Sequence, residues 1–116
     1  MPHPTAAELR ALCLGLLGAR EEFPFRPELS VFKAGGKIFA LSALSEVPLR
    51  VSLKCDPELA EQLRFTYAAI VPGYHLNKRH WLTITIDVSL PKGLVADLIE
   101  GSHELVGARR RPRGRR

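Results

Sequence analysis

At 116 residues the chain supports one domain with a real core and leaves no room for two. Its formal charge of +5 misleads, because six of the seventeen Lys and Arg residues lie between 109 and 116, and the rest set eleven cations against twelve acids. The near-neutral body excludes a general attraction for nucleic acid; only the tail or local clustering can supply one. No apolar run approaches the ~20 residues needed to cross a bilayer, and the start lacks a basic leader followed by an apolar stretch, so the expected compartment is the cytoplasm.

Thr5 and Glu8, three apart, form a capping box that opens a first helix. Leu9, Leu12, Cys13, Leu16 and Leu17 follow as an apolar stripe, with Gly18 as the stop. Pro24 and Pro27 make residues 21–28 a linker. Residues 29–34 and 37–44 are β-type runs joined by Gly35 and Gly36, a two-residue hairpin signal, in a register that sets Phe32 against Phe39. Lys37 stands beside that turn on the face of Phe39 and Leu41.

In residues 49–55, Leu49, Val51, Leu53 and Cys55 alternate with Arg50, Ser52 and Lys54, giving one core face and one polar, cationic face. Asp56 as N-cap and Pro57 at the first helical position start a second helix, with Leu59, Leu63 and Tyr67 inward, ending before Pro72. Cys13 and Cys55 both read as inward-facing, free, reduced thiols, since a lone pair forms neither a disulfide framework nor a metal-ligand spacing.

Residues 71–81 hold two histidines, two cations, an amide and two aromatics, the densest chemistry in the chain. Pro72 and Gly73 fix a turn, residues 74–76 form a short extended piece, and residues 77–79 form a second turn, so the cluster sits at the mouth of a hairpin. Residues 81–87 alternate again: Leu82, Ile84 and Ile86 face the core, and Trp81, Thr83 and Thr85 face away. A last helix begins at residues 89–91 and buries Leu94, Val95, Leu98, Ile99, Ser102, Leu105 and Val106. Residues 1–107 are thus one domain. Residues 108–116 form a disordered arginine-rich tail, having much to repel and nothing to bury.

The order α-β3-α-β2-α, with hairpins and segregated helices, gives an α+β two-layer sandwich: an antiparallel sheet with all helices on one face. Arg50, Ser52, Lys54, Trp81, Thr83 and Thr85 then share the uncovered face, with His75, Asn77, Lys78 and His80 at its rim.

The run from Val51 through Lys54, Cys55, Asp56 and Pro57 to Leu59, with Pro72, Gly73, Tyr74 and His75 leading to Lys78, Arg79, His80 and Trp81, resembles the MmcQ/YjbR family. Gly36, Lys37 and Phe39, and the closing Ser102, His103, Glu104, Leu105 and Val106, fit the same pattern. The resemblance covers about residues 5–106 and implies the arrangement derived above, also similar to secretion-chaperone-like folds. It further implies a DNA-binding protein with a double-wing motif. His103 stands where the family usually has an aromatic such as tyrosine, and the tail lies outside its pattern, so neither inherits a role.

Nucleic-acid binding is the first functional expectation. Lys37, Arg50, Lys54, Lys78 and Arg79 can meet phosphates, His75, Asn77 and His80 can hydrogen-bond, and Trp81 offers a face for a base, while Arg109, Arg110 and Arg111 begin a polycationic tail. The hairpins at Gly35–Gly36 and Asn77–Lys78 are then the wings. The alternative is a module binding a protein or an anionic ligand on the same face, with no nucleic-acid role. No catalytic constellation is found: His75 and His80 have no nucleophile with a paired acid beside them, and their spacing is not that of a helical zinc pair. No cofactor and no membrane partner are expected, and the chain is expected to be a monomer.

Overall fold

The computed structural model describes residues 4–73 and 76–107. Helix α1 (Ala6–Leu14) opens on the expected capping box: Glu8 N donates to Thr5 Oγ1 at 3.2 Å and Thr5 N to Glu8 Oε1 at 2.9 Å. It ends earlier than expected, at Gly15, whose N–H bonds to Ala11 O. Gly18 instead supplies positive φ (71°) in the following turn, and Leu17 is exposed rather than part of the core stripe.

Strand β1 (Arg20–Glu22) occupies part of the expected linker and pairs with β2 (Ser30–Ala34). It has no apolar alternation, so its sequence carries no strand signal. Its middle residue is held instead by polar contacts. Glu21 accepts from Arg10 Nε at 2.8 Å and from Ser30 Oγ at 2.7 Å.

Strands β2 and β3 (Lys37–Ser42) form the expected hairpin, with Gly35 and Gly36 at φ 60° and 80°. Its register differs by one residue. Phe32 pairs with Ala40, not Phe39, because a bulge lies between Phe32 and Lys33 on one strand and Ile38 and Ala40 on the other. The extra residue, Phe39, turns into the core, where its ring meets that of His103 edge-on at 5.2 Å. Lys37 pairs with Ala34, a core residue, and so does not share a face with Leu41.

Strand β4 (Arg50–Lys54) alternates as read, and Asp56 caps helix α2 (Pro57–Thr66), accepting from Leu59 N at 3.3 Å. Ala60 and Leu63 face inward, whereas Leu59 is exposed, contrary to expectation. Strand β5 (Ile70–Pro72) pairs with β6 (Trp81–Thr85). The chain does not turn at Pro72–Gly73 as expected: Gly73 N carries the pairing on to Trp81 O at 2.8 Å. Residues 74 and 75 of the expected extended piece lie outside the described residues. Helix α3 (Leu94–Leu105) starts after residues 89–91, behind Gly93 at φ 85°, and Leu105 is half-exposed.

The sheet order is β1-β2-β3-β4-β6-β5, antiparallel throughout, with α3 across β3 and β4, α2 beside β5 and α1 against α3. The α+β architecture with helices on one face stands, with one strand more than expected. Leu9, Phe32, Phe39, Leu53, Leu82, Ile84 and Ile99 fill the layer between sheet and helices, and Cys13 and Cys55 are buried there, unbonded. Among the described residues, no helix is long and apolar enough to cross a membrane.

Candidate functional site

Side chains on the far face of the sheet fall in cross-strand rows: Lys54 opposite Trp81, Ser52 opposite Thr83, and Arg50 opposite Thr85. This is the face expected from alternation. Trp81 is half-buried there, and the Ser52 and Thr83 hydroxyls bond each other at 2.9 Å. The face is not bare, however. Val31, Leu41, Ala43 and Thr83 are buried on it, because residues 23–29 and Leu76 fold across its middle and one end.

At its other end the sheet is cationic. The β2–β3 hairpin and the loop joining β5 to β6 project from this end, on either side of β4. Lys37 lies at the first tip, Lys78 and Arg79 in the second, and Lys54 on the last residue of β4 between them. Arg20, which sequence reasoning missed, joins them: β1 pairs it with Lys33 near the same hairpin. Among the described residues the ion pairs are Arg10–Glu21, Arg26–Glu28, Lys33–Glu22 and Arg50–Glu46. None uses Arg20, Lys37, Lys54, Lys78 or Arg79. Asp56, at the same end, belongs to the helix layer and uses its carboxylate as the α2 cap.

Asn77 builds the second tip. Its Oδ1 accepts from Arg79 N at 2.9 Å, and its carbonyl accepts from His80 N at 3.2 Å and Trp81 N at 3.0 Å. The amide expected to read a ligand thus sets the turn that displays Lys78, Arg79 and His80, all exposed. His80 O in turn accepts from Cys55 N at 2.7 Å, tying the tip to the end of β4. His75 and Tyr74 lie outside the described residues, as do Arg109, Arg110 and Arg111.

Arg50 does not belong to the cationic end. It stands at the opposite end of β4 and lines a pocket of about 430 Å³ on the open face. Leu41, Ala43, Ser52 and Thr83 form the floor, Phe25, Arg26 and Leu29 one wall, and Leu76 another. The sequence hid this pocket because residues 23–29 carry no periodicity, only prolines.

The perturbed titrations fall on the helix side. Burial would raise the Glu21 carboxyl, but hydrogen bonds from Arg10 and Ser30, with the Arg10 charge, outweigh it and hold the group below the ordinary carboxylate range. Burial, with the Glu21 charge second, pushes the Cys13 thiol up to about 12. Burial also raises Cys55, aided by Asp56 and opposed by Arg64. Neither thiol is an activated nucleophile. Among the described residues no three His, Cys, Asp or Glu side chains gather as metal ligands.

The sequence profile of the YjbR family matches residues 14–105. The chain belongs to the YjbR family. Among its relatives, the uncharacterised YbdF of Escherichia coli O157:H7 is 43% identical over 105 residues, 90% of this chain and 83% of that one. The uncharacterised YjbR of Escherichia coli strain K12 is 35% identical over 100 residues, covering 86% of this chain and 85% of its own. The crystal structure of Deinococcus radiodurans DR2400, a DUF419 domain, superposes with a TM-score of 0.87 at 42% identity, covering 97% of this chain and 86% of that one.

In this YjbR chain the segment from Ser102 to Val106 serves the fold. Cys55 N points to β6, so Lys54 N points to β3, one step past the last β3–β4 pair, Ala40 with Leu53, where that ladder stops. Ser102 Oγ bridges the two strands there, accepting from Lys54 N at 2.9 Å and donating to Phe39 O at 2.6 Å. His103, buried beside it, places Nε2 2.8 Å from Leu17 O and so ties α3 to the α1–β1 turn.

Proposed function

We propose that this YjbR-family protein binds nucleic acid through the cationic end of its sheet, the two hairpins acting as paired wings around Lys54 and Trp81. One observation carries the reading: Arg20, Lys37, Lys54, Lys78 and Arg79, which form no ion pair among the described residues, gather at the end from which both hairpins project. The centres of the two hairpins are three strand spacings apart, about 14 Å, comparable with the ~12 Å width of a B-DNA major groove. The tips thereby suit contact with phosphates on either side of a groove. Trp81, beside Lys54, offers a ring edge or face at the centre, where stacking on an unpaired base contributes about 1 to 3 kcal/mol. Phosphate contact would provide the affinity, and no base-reading helix is invoked.

The test is anisotropy titration of labelled duplex and single-stranded DNA against the full chain at several salt concentrations. Five engaged cations give a log–log salt slope of about −4.5 on duplex. Replacing Lys37, Lys54 and Arg79 together with Gln, all exposed or half-exposed positions, is expected to reduce that slope by about 2.7. An unchanged slope in the triple variant, with binding lost on removing residues 108–116, would assign DNA affinity to the tail and refute the wing reading.

A further inference from the structure

We propose that the pocket on the open sheet face is a binding site for a small organic monocarboxylate with an apolar, aromatic or branched body. This site is separate from the cationic end and does not rest on the nucleic-acid reading. Its volume of about 430 Å³ lies within the range of ligand cavities, ~300 to 1,000 Å³. Its walls are preformed. Pro24 and Pro27 restrict the chain around Phe25, and Leu29 N bonds to Arg26 O at 3.2 Å, so residues 25–29 are a fixed turn across the sheet.

The lining separates into two chemistries. Phe25, Leu29, Leu41 and Leu76 give an apolar interior, in which Phe25 remains 64% exposed although it forms a wall. That ring presents unburied area to whatever enters. The lining also holds two arginines, Arg26 and Arg50, and one acid, Glu46, while Glu28 pairs with Arg26 from outside the lining. Arg50 Nη2 meets Glu46 Oε1 at 3.3 Å and Arg26 Nη1 meets Glu28 Oε1 at 3.6 Å, both pairs half-exposed or more. Such long, solvated pairs contribute little and leave most of each donor fork unused.

Each guanidinium has one carboxylate at the long end of ion-pair range, so what faces the apolar cleft is the unused part of two donor forks rather than a net charge. An Arg fork matches a carboxylate in two parallel N–H···O bonds, and the hydrocarbon behind that carboxylate fills the cleft. On the floor, the Ser52 hydroxyl, bonded to that of Thr83, adds a polar spot whose oxygen can accept from a hydroxyl on the ligand body. A phosphate ester fits less well, since the lining is predominantly apolar and no helix N-terminus faces it.

The test uses 3-phenylpropionate as probe, with 3-phenylpropanamide as its neutral counterpart, titrated into the isotope-labelled full chain and followed by amide NMR shifts. The expected result is saturable movement of the Leu41, Ser52 and Thr83 amides by the acid below about 10 mM, with at least tenfold weaker binding of the amide. Replacing Arg26 and Arg50 together with Gln is expected to weaken the acid at least tenfold while leaving the melting temperature and DNA titration unchanged. Equal binding of acid and amide, shifts confined to residues 77–80, or no saturation at the pocket amides would each overturn the proposal.

Discussion

Gly73 lies so close to Trp81 that a Cβ built on it would stand 2.6 Å from the Trp81 Cβ and 3.1 Å from its backbone. The same two residues share a backbone hydrogen bond, Gly73 N to Trp81 O, at 2.8 Å. The glycine is therefore required by contact rather than by positive φ, and the backbone cannot yield without breaking the β5–β6 pairing.

Gly73→Ala is expected to destabilise the fold by about 1 to 3 kcal/mol, the usual cost of overpacking a close contact. Urea unfolding followed by Trp81 fluorescence measures it, Trp81 being the chain's one tryptophan. A loss below ~0.5 kcal/mol would mean the two strands separate easily there.

Ser102→Ala is expected to cost about 1 to 3 kcal/mol, because it leaves Lys54 N and Phe39 O without the hydroxyl that joins them. Hydrogen exchange localises the effect: the Lys54 amide should exchange faster in the variant, while the Cys55 amide, bonded to His80 O, should keep its protection.

Much of this architecture is legible from residue order, since capping boxes, glycine hairpins and alternating strands act through neighbours a few positions away. Thr5 with Glu8, Asp56 with Pro57, and the Arg50 to Lys54 alternation all behave as read. What the sequence hides depends on distant partners. β1 exists because Arg10 and Ser30 satisfy Glu21, and beyond the last β3–β4 pair Phe39 O is met by Ser102, 63 positions away. Similarly, alternation identified the Lys54, Trp81 and Thr83 face, but the pocket on it is walled by residues 25–29 and 76, which have no local pattern pointing there. Arg20 was missed for the same reason as β1, of which it is the first residue.

Glu21 gives the fold an acid-sensitive bond. Its carboxyl is held below its ordinary value in the folded state, chiefly because Arg10 and Ser30 bonds overcome the effect of burial, and its side chain is only 11% exposed. A depressed folded pKa adds stability that is full above the unfolded value near 4.3 and disappears as pH falls through the folded value. Glu21→Gln should therefore lower stability at pH 7 by about 1 to 3 kcal/mol, as expected for losing hydrogen bonds to a charged group. The gap between parent and variant should narrow below about pH 4. Urea midpoints from pH 7 down to 3 check this; a gap that is constant with pH would assign the loss to packing rather than charge.

Cys13 is expected to be chemically silent while the protein is folded. It is fully buried, and its thiol is pushed up to about 12 by burial and the neighbouring Glu21 charge. At pH 8 a thiol of that pKa has a thiolate fraction on the order of 10³ lower than an unfolded cysteine near 8.5. Iodoacetamide should therefore modify Cys13 at a rate that follows the population of unfolded chain, rising with urea in step with loss of structure. Because raised thiol pKa favours the neutral form, its stabilising contribution is full below the unfolded value and is lost as pH climbs towards the folded one. Cys55, 6% exposed and also raised, should be protected as well but less strongly, since the nearby Arg64 charge opposes the shift. Mass-spectrometric mapping of both sites across a urea series separates the two. Labelling of Cys13 in the absence of urea, at a rate no slower than that of Cys55, would show that α1 opens locally, apart from the rest of the core.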